Sequence, residues 1–295
     1  MPRMVRLHTL LGDYPNTHAL RAGALGSPAL EFDFADVKVP NRGFKRAVRG
    51  LEFDASELAI VTFFQAKAYG KPLVLLPATI VGRSQHQCIV YNAERGRLVP
   101  GDLEGRRVGV RAYAQTTVTW VRGMLAEEHG LDPRKVRWVT FEDGHLAEYR
   151  DPPNCERAPE GSDMMAMLGS GEIDAAIVGN EPIADPRFRT LIEDPQAAGE
   201  AWCLRHGAVP VNHMVAVKAS LSEAHPEAVA ELFRLLARAK SSAGAPSGRD
   251  MLPFGFDALR PSLEIALDYS FRQGLLPRRQ GVDELFDANT RALRA

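Results

Sequence analysis

The sequence predicts an α/β protein in which two lobes, each a mostly parallel sheet flanked by helices, enclose a ligand cleft. Short apolar runs of strand type alternate with segments of helical periodicity along most of the 295 residues. Some runs, such as residues 73–80, are almost entirely apolar, which is typical of parallel strands covered on both faces. The last third of the chain is mainly helical, and the chain is long enough for two lobes.

The N-terminal elements follow from apolar runs, alternation and turn residues. Residues 4–11 are an apolar strand that ends at the turn GDYPN, where Gly, Asp and Pro favour a turn. Residues 30–39 alternate apolar and acidic side chains, as a strand with one wet face does. Residues 41–51 and 59–69 have apolar side chains at helical spacing, and the segment 53–58 leads into the second of these helices. The next strands are residues 73–80 and 88–91.

The remaining elements continue this alternation. Residues 108–110 are a short buried strand, followed through a turn by a helix over residues 115–125. The proline-rich residues 151–161 predict a surface loop, and Ser162 and Asp163 cap a short helix. Further strands are predicted at residues 136–140, 173–178 and 209–217, and helices at residues 162–168, 226–240, 259–273 and 283–293.

Composition excludes several function classes. Lysine and arginine number 36 against 37 acidic residues, so the net charge of -1 gives no general attraction to nucleic acid or an anionic membrane. No apolar run approaches the ~20 residues of a membrane span. The N-terminal residues lack the features of a signal peptide, and we expect a cytoplasmic location. The cysteines, Cys88, Cys155 and Cys203, are far apart, which argues against a disulfide framework or a thiolate zinc site.

Residues 106–123 (RRVGVRAYAQTTVTWVRG) have the pattern of a small-anion site. A strand that runs through a turn into a helix leaves the first N–H groups of that helix unpaired at the carboxyl edge of the sheet. These donors, the helix dipole and the hydroxyl groups of Thr116 and Thr117 can bind an anion. An ordinary helix cap on a threonine is the alternative interpretation.

Ligands of such sheets bind beyond the carboxyl ends of the strands, which selects a short set of candidate residues. Three of these candidates are His86, His18 and Glu57. The candidates for substrate binding are Asp13, Tyr14, Ser56, Tyr113, Thr116, Thr117, Asn180, Glu181 and His213.

Stretches along nearly the whole chain resemble the 4,5-dihydroxyphthalate decarboxylase family, relatives of type II periplasmic solute-binding proteins. The stretches are LGDYPNTHAL, FDASELAIVTFFQAKAYG, HQCIVYN, GVRAYAQTTVTWVRGMLAEEHGL, SGEIDAAI, NHMVAVKASLSEAHPEAVAELFRLLARAK, PFGF and YSFRQGLLPRRQGVDELF. The resemblance implies a two-lobed type II periplasmic-binding-protein-like fold whose first lobe is completed by the C-terminal third. On this basis we assign residues 1–90 and 211–295 to the first lobe and residues 91–210 to the second. It also implies removal of one carboxylate from a hydroxylated aromatic dicarboxylic acid, with a small aromatic carboxylate as the substrate. The family usually has arginine where His18 and Gln85 stand, and since only arginine binds a carboxylate bidentately, the exact substrate stays open.

This reaction needs a proton donor to the ring carbon, and a histidine supplies one near neutral pH. His86 and His18 are the candidates for that role, and Glu57 is the candidate base, although Glu57 could instead cap the following helix. Asp13 and Tyr14 could be no more than turn residues, and His213 could be a hinge contact.

We expect no cofactor. His18, Glu57, His86 and His213 are residue types that bind zinc or manganese, so a divalent metal is the alternative, but they lack a paired ligand spacing. Two further functions stay open on this fold: a non-catalytic solute-binding protein for a small carboxylate, and a lyase of another cyclic acid. We expect neither nucleic acid nor membrane as a partner, and a homo-oligomer stays open.

Overall fold

The structure is a computed structural model that describes residues 4–179, 183–245 and 247–294. Its described strands form two mixed sheets. The first sheet consists of β1 (Val5–Leu10), β2 (Leu30–Phe34), β3 (Ala55–Ala59), β4 (Leu73–Gly82) and β11 (Val211–Lys218). The second sheet consists of β5 (Ile89–Asn92), β6 (Arg107–Val110), β7 (Arg137–Thr140), β8 (Cys155–Arg157), β9 (Ala175–Ile177) and β10 (Phe188–Thr190).

Each sheet is mostly parallel. In the first sheet the order is β2-β1-β3-β11-β4, and only β11 runs antiparallel to its neighbours. In the second sheet the order is β10-β5-β9-β6-β7-β8, and only β5 runs antiparallel to its neighbours. The carboxyl ends of the parallel strands in each sheet therefore lie together, where ligands of open α/β sheets bind.

Helices connect the strands and cover the sheets. They are α1 (His18–Arg21), α2 (Phe44–Arg49), α3 (Ile60–Ala68), α4 (Thr116–His129), α5 (Met164–Ser170), α6 (Pro195–His206), α7 (Ala219–Ala224), α8 (Pro226–Ser242), α9 (Phe256–Arg272) and α10 (Ala288–Arg291). Short 3-10 helices occupy Pro40–Gly43, His86–Cys88, Ala93–Arg95, Pro100–Leu103, Pro133–Lys135 and Val282–Leu285.

Aromatic packing joins helix α9, from the C-terminal third, to helices α4 and α6. The Trp120 ring lies 5.6 Å from the ring of Trp202 and 5.7 Å from the ring of Tyr269, in edge-to-face geometry. Gly123 makes the close approach of α9 possible, because a Cβ at this position would lie 2.0 Å from the Tyr269 ring. The Trp120 indole also donates a hydrogen bond to the carbonyl of Val211, at 2.8 Å.

The chain passes between the sheets at two neighbouring places. It leaves the first sheet after β4 and returns through the segment before β11. The two crossings touch, since the backbone N–H of Arg83 donates to the carbonyl of Pro210 at 3.2 Å. Side chains from both crossings therefore lie where the two sheets meet.

The predicted fold class is confirmed, and most predicted elements are present. Residues 55–58, predicted only as a lead into a helix, and Ala59, predicted as the start of that helix, instead form the central strand β3, whose residues are all buried. The predicted loop 151–161 contains the edge strand β8, and β10 and α6 were not predicted. The proposed lobe boundary at residue 90 falls inside β5, and the lobe assignment as a whole stays a prediction.

Within the described residues, the helices are too short or too polar to cross a bilayer.

Candidate active site

A cavity of about 910 Å³ lies where the two sheets meet. Its walls come from both sheets: the segment after β1 and the ends of β4 and β11 on one side, and the segments after β6, β7 and β9 on the other. Phe44, Ile80, Phe141, Met164 and Ile177 give the walls a substantial apolar share. The volume and lining are those of a site for a small organic molecule.

Glu57 lies behind this cavity and links two side chains of its wall. It is fully buried in β3. Its Oε1 accepts hydrogen bonds from the Tyr14 hydroxyl at 2.8 Å and from Nδ1 of His213 at 2.6 Å, and its Oε2 accepts one from the Gly12 N–H at 2.8 Å. These donors satisfy a charge that would otherwise be costly to bury. Because Oε1 of Glu57 is an acceptor, the Nδ1 of His213 carries a proton, and Nε2 is the ring nitrogen available to a ligand.

Tyr14 acts in this group as a hydrogen-bond donor. Burial and the neighbouring charge of Glu57 raise the pKa of Tyr14 far above its ordinary value. The phenol therefore stays protonated at neutral pH and keeps Glu57 as an acceptor.

A second histidine, His145, lines the cavity on the side of the second sheet. Its Nδ1 lies 2.7 Å from the Thr62 hydroxyl, and its ring packs edge-on against Phe44, which also contacts His213. Burial and, to a smaller extent, the positive charge of Arg111 together lower the pKa of His145 to about 3. His145 is therefore neutral at pH 7 and can contact a ligand only as an uncharged hydrogen-bonding group.

Two arginines supply positive charge to the cavity. Arg83 directly follows β4, and its hydrogen-bond partners are neutral: the Cys88 thiol at 2.8 Å and the Thr117 hydroxyl at 3.2 Å. Arg111 directly follows β6, and its Nε lies 3.7 Å from a carboxylate oxygen of Glu142. The charge of Arg83 in particular is not neutralised by its hydrogen-bond partners and is suited to an anionic ligand.

A buried hydrogen-bond network holds Arg83 at the two crossings. Gln85 donates through Nε2 to the Arg83 carbonyl at 2.9 Å and to Oδ1 of Asn212 at 2.6 Å. Asn212 in turn donates to the Thr117 hydroxyl at 3.4 Å. This network orients Arg83 toward the N-terminus of α4.

The N-termini of helices α3 and α4 also meet at the cavity. Both helices begin without a side-chain cap. The hydroxyl of Thr116 accepts from the N–H of Val61, which lies in the first turn of α3, at 3.2 Å. The positive ends of two helix dipoles therefore add to the charge of the arginines.

Part of the predicted site is brought together. Tyr14, Thr116, Thr117 and His213 line the cavity, and Glu57 lies directly behind Tyr14 and His213. The alternative that Glu57 caps a helix is wrong, because Glu57 is in the middle of a strand.

The structure places the two histidines that the sequence favoured as proton donors outside the cavity. His86 is buried against helix α4, where its Nε2 lies 3.0 Å from a carboxylate oxygen of Glu128. His18 is exposed and pairs with Asp13 at 2.9 Å. Their positions give no geometric support to the roles predicted for His86, His18 and Asp13, since none of them lines the cavity.

Two further predicted residues, Ser56 and Tyr113, do not line the described cavity. Ser56 is buried in β3, and Tyr113 is buried with its ring 3.5 Å from the Arg122 guanidinium. Asn180 and Glu181 lie outside the described residues, so their predicted roles have no described geometry.

Five residues that line the cavity were not predicted as site residues from the sequence: Arg83, Arg111, Gln115, His145 and Asn212. A signal for the arginines was present, because each is the first residue after a parallel strand, where ligand-binding residues concentrate. His145 carried no such signal, since it lies in an irregular segment beyond β7.

Across residues 4–179, 183–245 and 247–294, no group of three or more His, Cys, Asp or Glu side chains is placed to hold an ion.

Solved structures of known proteins share this fold. The periplasmic aliphatic sulphonate binding protein of Escherichia coli aligns with a TM-score of 0.61 at 12% identity, covering 97% of this chain and 92% of that protein. A desulfurization enzyme aligns with a TM-score of 0.52 at 16% identity, covering 98% of both chains. The fold is thus that of the periplasmic binding proteins, and at these identities the likeness shows the fold alone. No family model matches the chain.

Curated sequences give a closer relationship. A 4,5-dihydroxyphthalate decarboxylase of Comamonas testosteroni is 29% identical over 279 residues, which cover 87% of this chain and 82% of that protein. A 4,5-dihydroxyphthalate decarboxylase of Pseudomonas putida is 31% identical over 210 residues, covering 67% of this chain and 81% of that protein. The chain therefore belongs to the 4,5-dihydroxyphthalate decarboxylase family.

Proposed function

We propose that this protein is a carboxy-lyase that removes one carboxylate from a hydroxylated aromatic dicarboxylic acid. One observation carries the site assignment: His213 lines the cavity, and its Nδ1 is hydrogen-bonded to the buried Glu57 at 2.6 Å. Family membership supports the reaction class, and the charges around the cavity support a dianionic substrate.

The substrate anions are bound by the arginines and the helix N-termini. Arg83, together with the Thr117 hydroxyl and the first turn of α4, binds the carboxylate that is retained. Arg111 lies in the wall that the second sheet contributes, directly after β6, and balances the second negative charge. Two cationic groups match a substrate with two carboxylates, although the family's usual arginines are replaced by His18 and Gln85.

The proton comes from Nε2 of His213 in its protonated form. It adds to the ring carbon that bears the leaving carboxylate, and the electron pair for the new C–H bond comes from the ring, which the phenol oxygen enriches. The bond to the carboxylate then breaks, its electron pair restores the aromatic ring, and CO2 leaves. His213 recovers a proton from solvent, so the net reaction consumes one proton and releases one CO2.

Glu57 is a positioning residue in this scheme. It stabilises the imidazolium of His213 and fixes the ring with Nδ1–H toward itself, as a buried carboxylate does for a catalytic histidine. The leaving carboxylate is placed against the apolar wall of Phe44 and Ile177, where loss of its charge is favoured by the lack of water.

The proposal assigns the proton and the charge balance to protein side chains and contains no metal. Stoichiometric zinc or manganese in elemental analysis of the active protein would require a different scheme.

The test is incubation with a panel of hydroxybenzoates and hydroxyphthalates, with CO2 and new phenols as the readout. We expect turnover of 4,5-dihydroxyphthalate or a close analogue, and a loss of roughly 10²–10⁴-fold in kcat for His213→Gln. His18→Asn is the matched control, because His18 is an exposed histidine outside the cavity, and its kcat should equal that of the wild type. Binding without turnover across the panel would favour a solute-binding function, and a fully active His213→Gln protein would remove His213 from the scheme.

A further inference from the structure

His145 is held in the cavity wall by contacts that cross from one sheet to the other. It lies in the segment beyond β7 of the second sheet, and Arg49 of α2 donates to its carbonyl at 2.7 Å and to the Gly144 carbonyl at 3.1 Å. Its ring packs edge-on against Phe44, at 5.4 Å, and its Nδ1 lies 2.7 Å from the Thr62 hydroxyl. Phe44 and Thr62 line the same cavity, so these contacts fix the ring at the ligand space.

The other ring nitrogen of His145, Nε2, is open to a ligand. It makes no hydrogen bond to the residues that the structure describes, since the ring is bonded there through Nδ1 alone. Nor does it belong to the fully buried polar atoms of the described chain that lack a partner, among which is Nε2 of His206. His145 as a whole is half-buried. Its Nε2 therefore keeps accessible surface on a ring that lines the cavity.

The Thr62 hydroxyl determines which nitrogen of His145 carries the proton. Thr62 is buried, and among the described residues its hydroxyl has Nδ1 of His145 as its hydrogen-bond partner. A buried hydroxyl proton without an acceptor is costly, so the hydroxyl donates to Nδ1. Nδ1 is then the unprotonated nitrogen of the neutral imidazole, and the proton is on Nε2. The ring presents an N–H donor to the cavity.

The charge of the ring indicates which substrate oxygen this donor fits. In the proposed function, Arg83 and Arg111 balance the two carboxylates. Burial and the nearby charge of Arg111 lower the pKa of His145 to about 3, so the imidazole is neutral at pH 7 and adds no further positive charge. A phenolic hydroxyl is also uncharged at pH 7, and its oxygen accepts hydrogen bonds. The neutral donor therefore matches a hydroxyl of the substrate, whereas the arginines match its carboxylates.

We propose that His145 is a specificity-determining residue whose Nε2–H donates a hydrogen bond to a ring hydroxyl of the substrate, so that the site selects hydroxylated over unhydroxylated aromatic diacids. This inference rests on the proposed function and assigns the substrate's hydroxyl to one side chain. A phthalate without hydroxyls would displace water from the donor and leave it unpaired. Sites built to pair a ligand hydroxyl reject analogues that lack it.

Two substitutions separate the Nε2–H donor from the rest of the ring. The amide of asparagine extends about as far as Nδ1, so His145→Asn keeps an acceptor for the Thr62 hydroxyl and removes the donor to the ligand. The amide of glutamine extends about as far as Nε2, so His145→Gln keeps an N–H donor toward the ligand. Comparison of the two variants therefore reports on the donor itself.

The experiment is calorimetric titration of phthalate and 4,5-dihydroxyphthalate into His213→Gln protein, in which turnover does not disturb the heats, with and without each His145 substitution. We expect the ratio of the two dissociation constants to favour the hydroxylated ligand when His145 is present. His145→Asn should lower that preference by roughly tenfold, equivalent to about 1.4 kcal/mol, and His145→Gln should retain most of it. His225→Asn is the matched control, because His225 is exposed and outside the cavity, and it should leave the ratio unchanged.

The possible results separate the inference from the function. An unchanged preference in folded His145→Asn protein, checked by its thermal unfolding, would overturn the role of His145 and leave the decarboxylase proposal intact. Equal weakening of both ligands would place His145 against a carboxylate or in general packing, and a preference lost equally in both His145 variants would exclude the donor; either result would overturn the inference. Absence of binding of either diacid to protein that retains His145 would contradict the proposed substrate class itself, and the inference with it.

Discussion

Replacing Glu57 by glutamine tests the group that we place behind the proton donor. The three hydrogen bonds to Glu57 come from Gly12, Tyr14 and His213, at 2.6–2.8 Å, and the carboxylate is fully buried. An amide keeps one oxygen. If that oxygen serves Tyr14 and His213, the new NH2 group faces the Gly12 N–H, so that two donors oppose each other.

The magnitude follows from this geometry. Losing a hydrogen bond to a charged acceptor costs about 1.5–3 kcal/mol, and the unpaired Gly12 N–H adds a penalty that partly overlaps with it. We therefore expect Glu57→Gln to lower the free energy of unfolding by about 3 kcal/mol. Because His213 also loses the charge that stabilises its imidazolium, kcat should fall by roughly 10²–10⁴-fold.

The assay combines urea unfolding, followed by circular dichroism, with steady-state decarboxylation at a temperature at which both proteins are folded. The control is Glu52→Gln, which changes a partly exposed carboxylate paired with Arg46 and should cost less than about 1 kcal/mol without changing kcat. Wild-type stability together with wild-type kcat in Glu57→Gln would refute the reasoning. A loss of stability with unchanged kcat would reduce Glu57 to a structural residue.

Two further predictions concern Arg83 and His145 in the cavity wall. Arg83→Lys keeps the positive charge but loses the planar guanidinium that can bind a carboxylate through two hydrogen bonds, so KM for the diacid should rise by roughly tenfold while kcat changes less. The control is Arg97→Lys, because Arg97 is exposed. An unchanged KM in Arg83→Lys would exclude Arg83 from substrate binding. The pKa of His145 is about 3 in the folded protein, below its ordinary value of 6.5. Between pH 6.5 and pH 3 the His145 side chain is therefore protonated in the unfolded chain and neutral in the folded protein. The free energy of unfolding that this group contributes is consequently lost as the pH falls from 6.5 toward 3. Urea midpoints of His145→Gln should therefore fall less steeply than those of the wild type between pH 7 and pH 5, and parallel curves would contradict the lowered pKa.

The fold could be predicted because its signals are local. Apolar runs such as residues 73–80 become strands buried on both faces, and the strand-turn-helix pattern around residues 106–123 becomes β6 and α4. Strand β3 was missed because it contains the fully buried Glu57, whereas a glutamate in a sequence usually indicates an exposed position. That carboxylate is tolerated only because its partners Gly12 and His213 reach it from distant parts of the chain.

The site could be predicted only in part, for the same reason. His86 and His213 both lie beside strands, and no local pattern distinguishes a histidine paired with Glu128 from one paired with Glu57. Tertiary contacts decide between them. The position of Arg83 directly after β4 was a usable signal, whereas the irregular segment that contains His145 gave none.

The central claim is that a hydroxylated diacid binds between the sheets with its reacting carbon against His213. The most direct measurement is a crystal structure of the His213→Gln variant with 4,5-dihydroxyphthalate bound. We predict that the ring occupies the cavity, with one carboxylate on Arg83 and the carbon that bears the other facing residue 213. A ligand bound outside this cavity, or one whose carboxylate-bearing carbons both face away from residue 213, would contradict the claim.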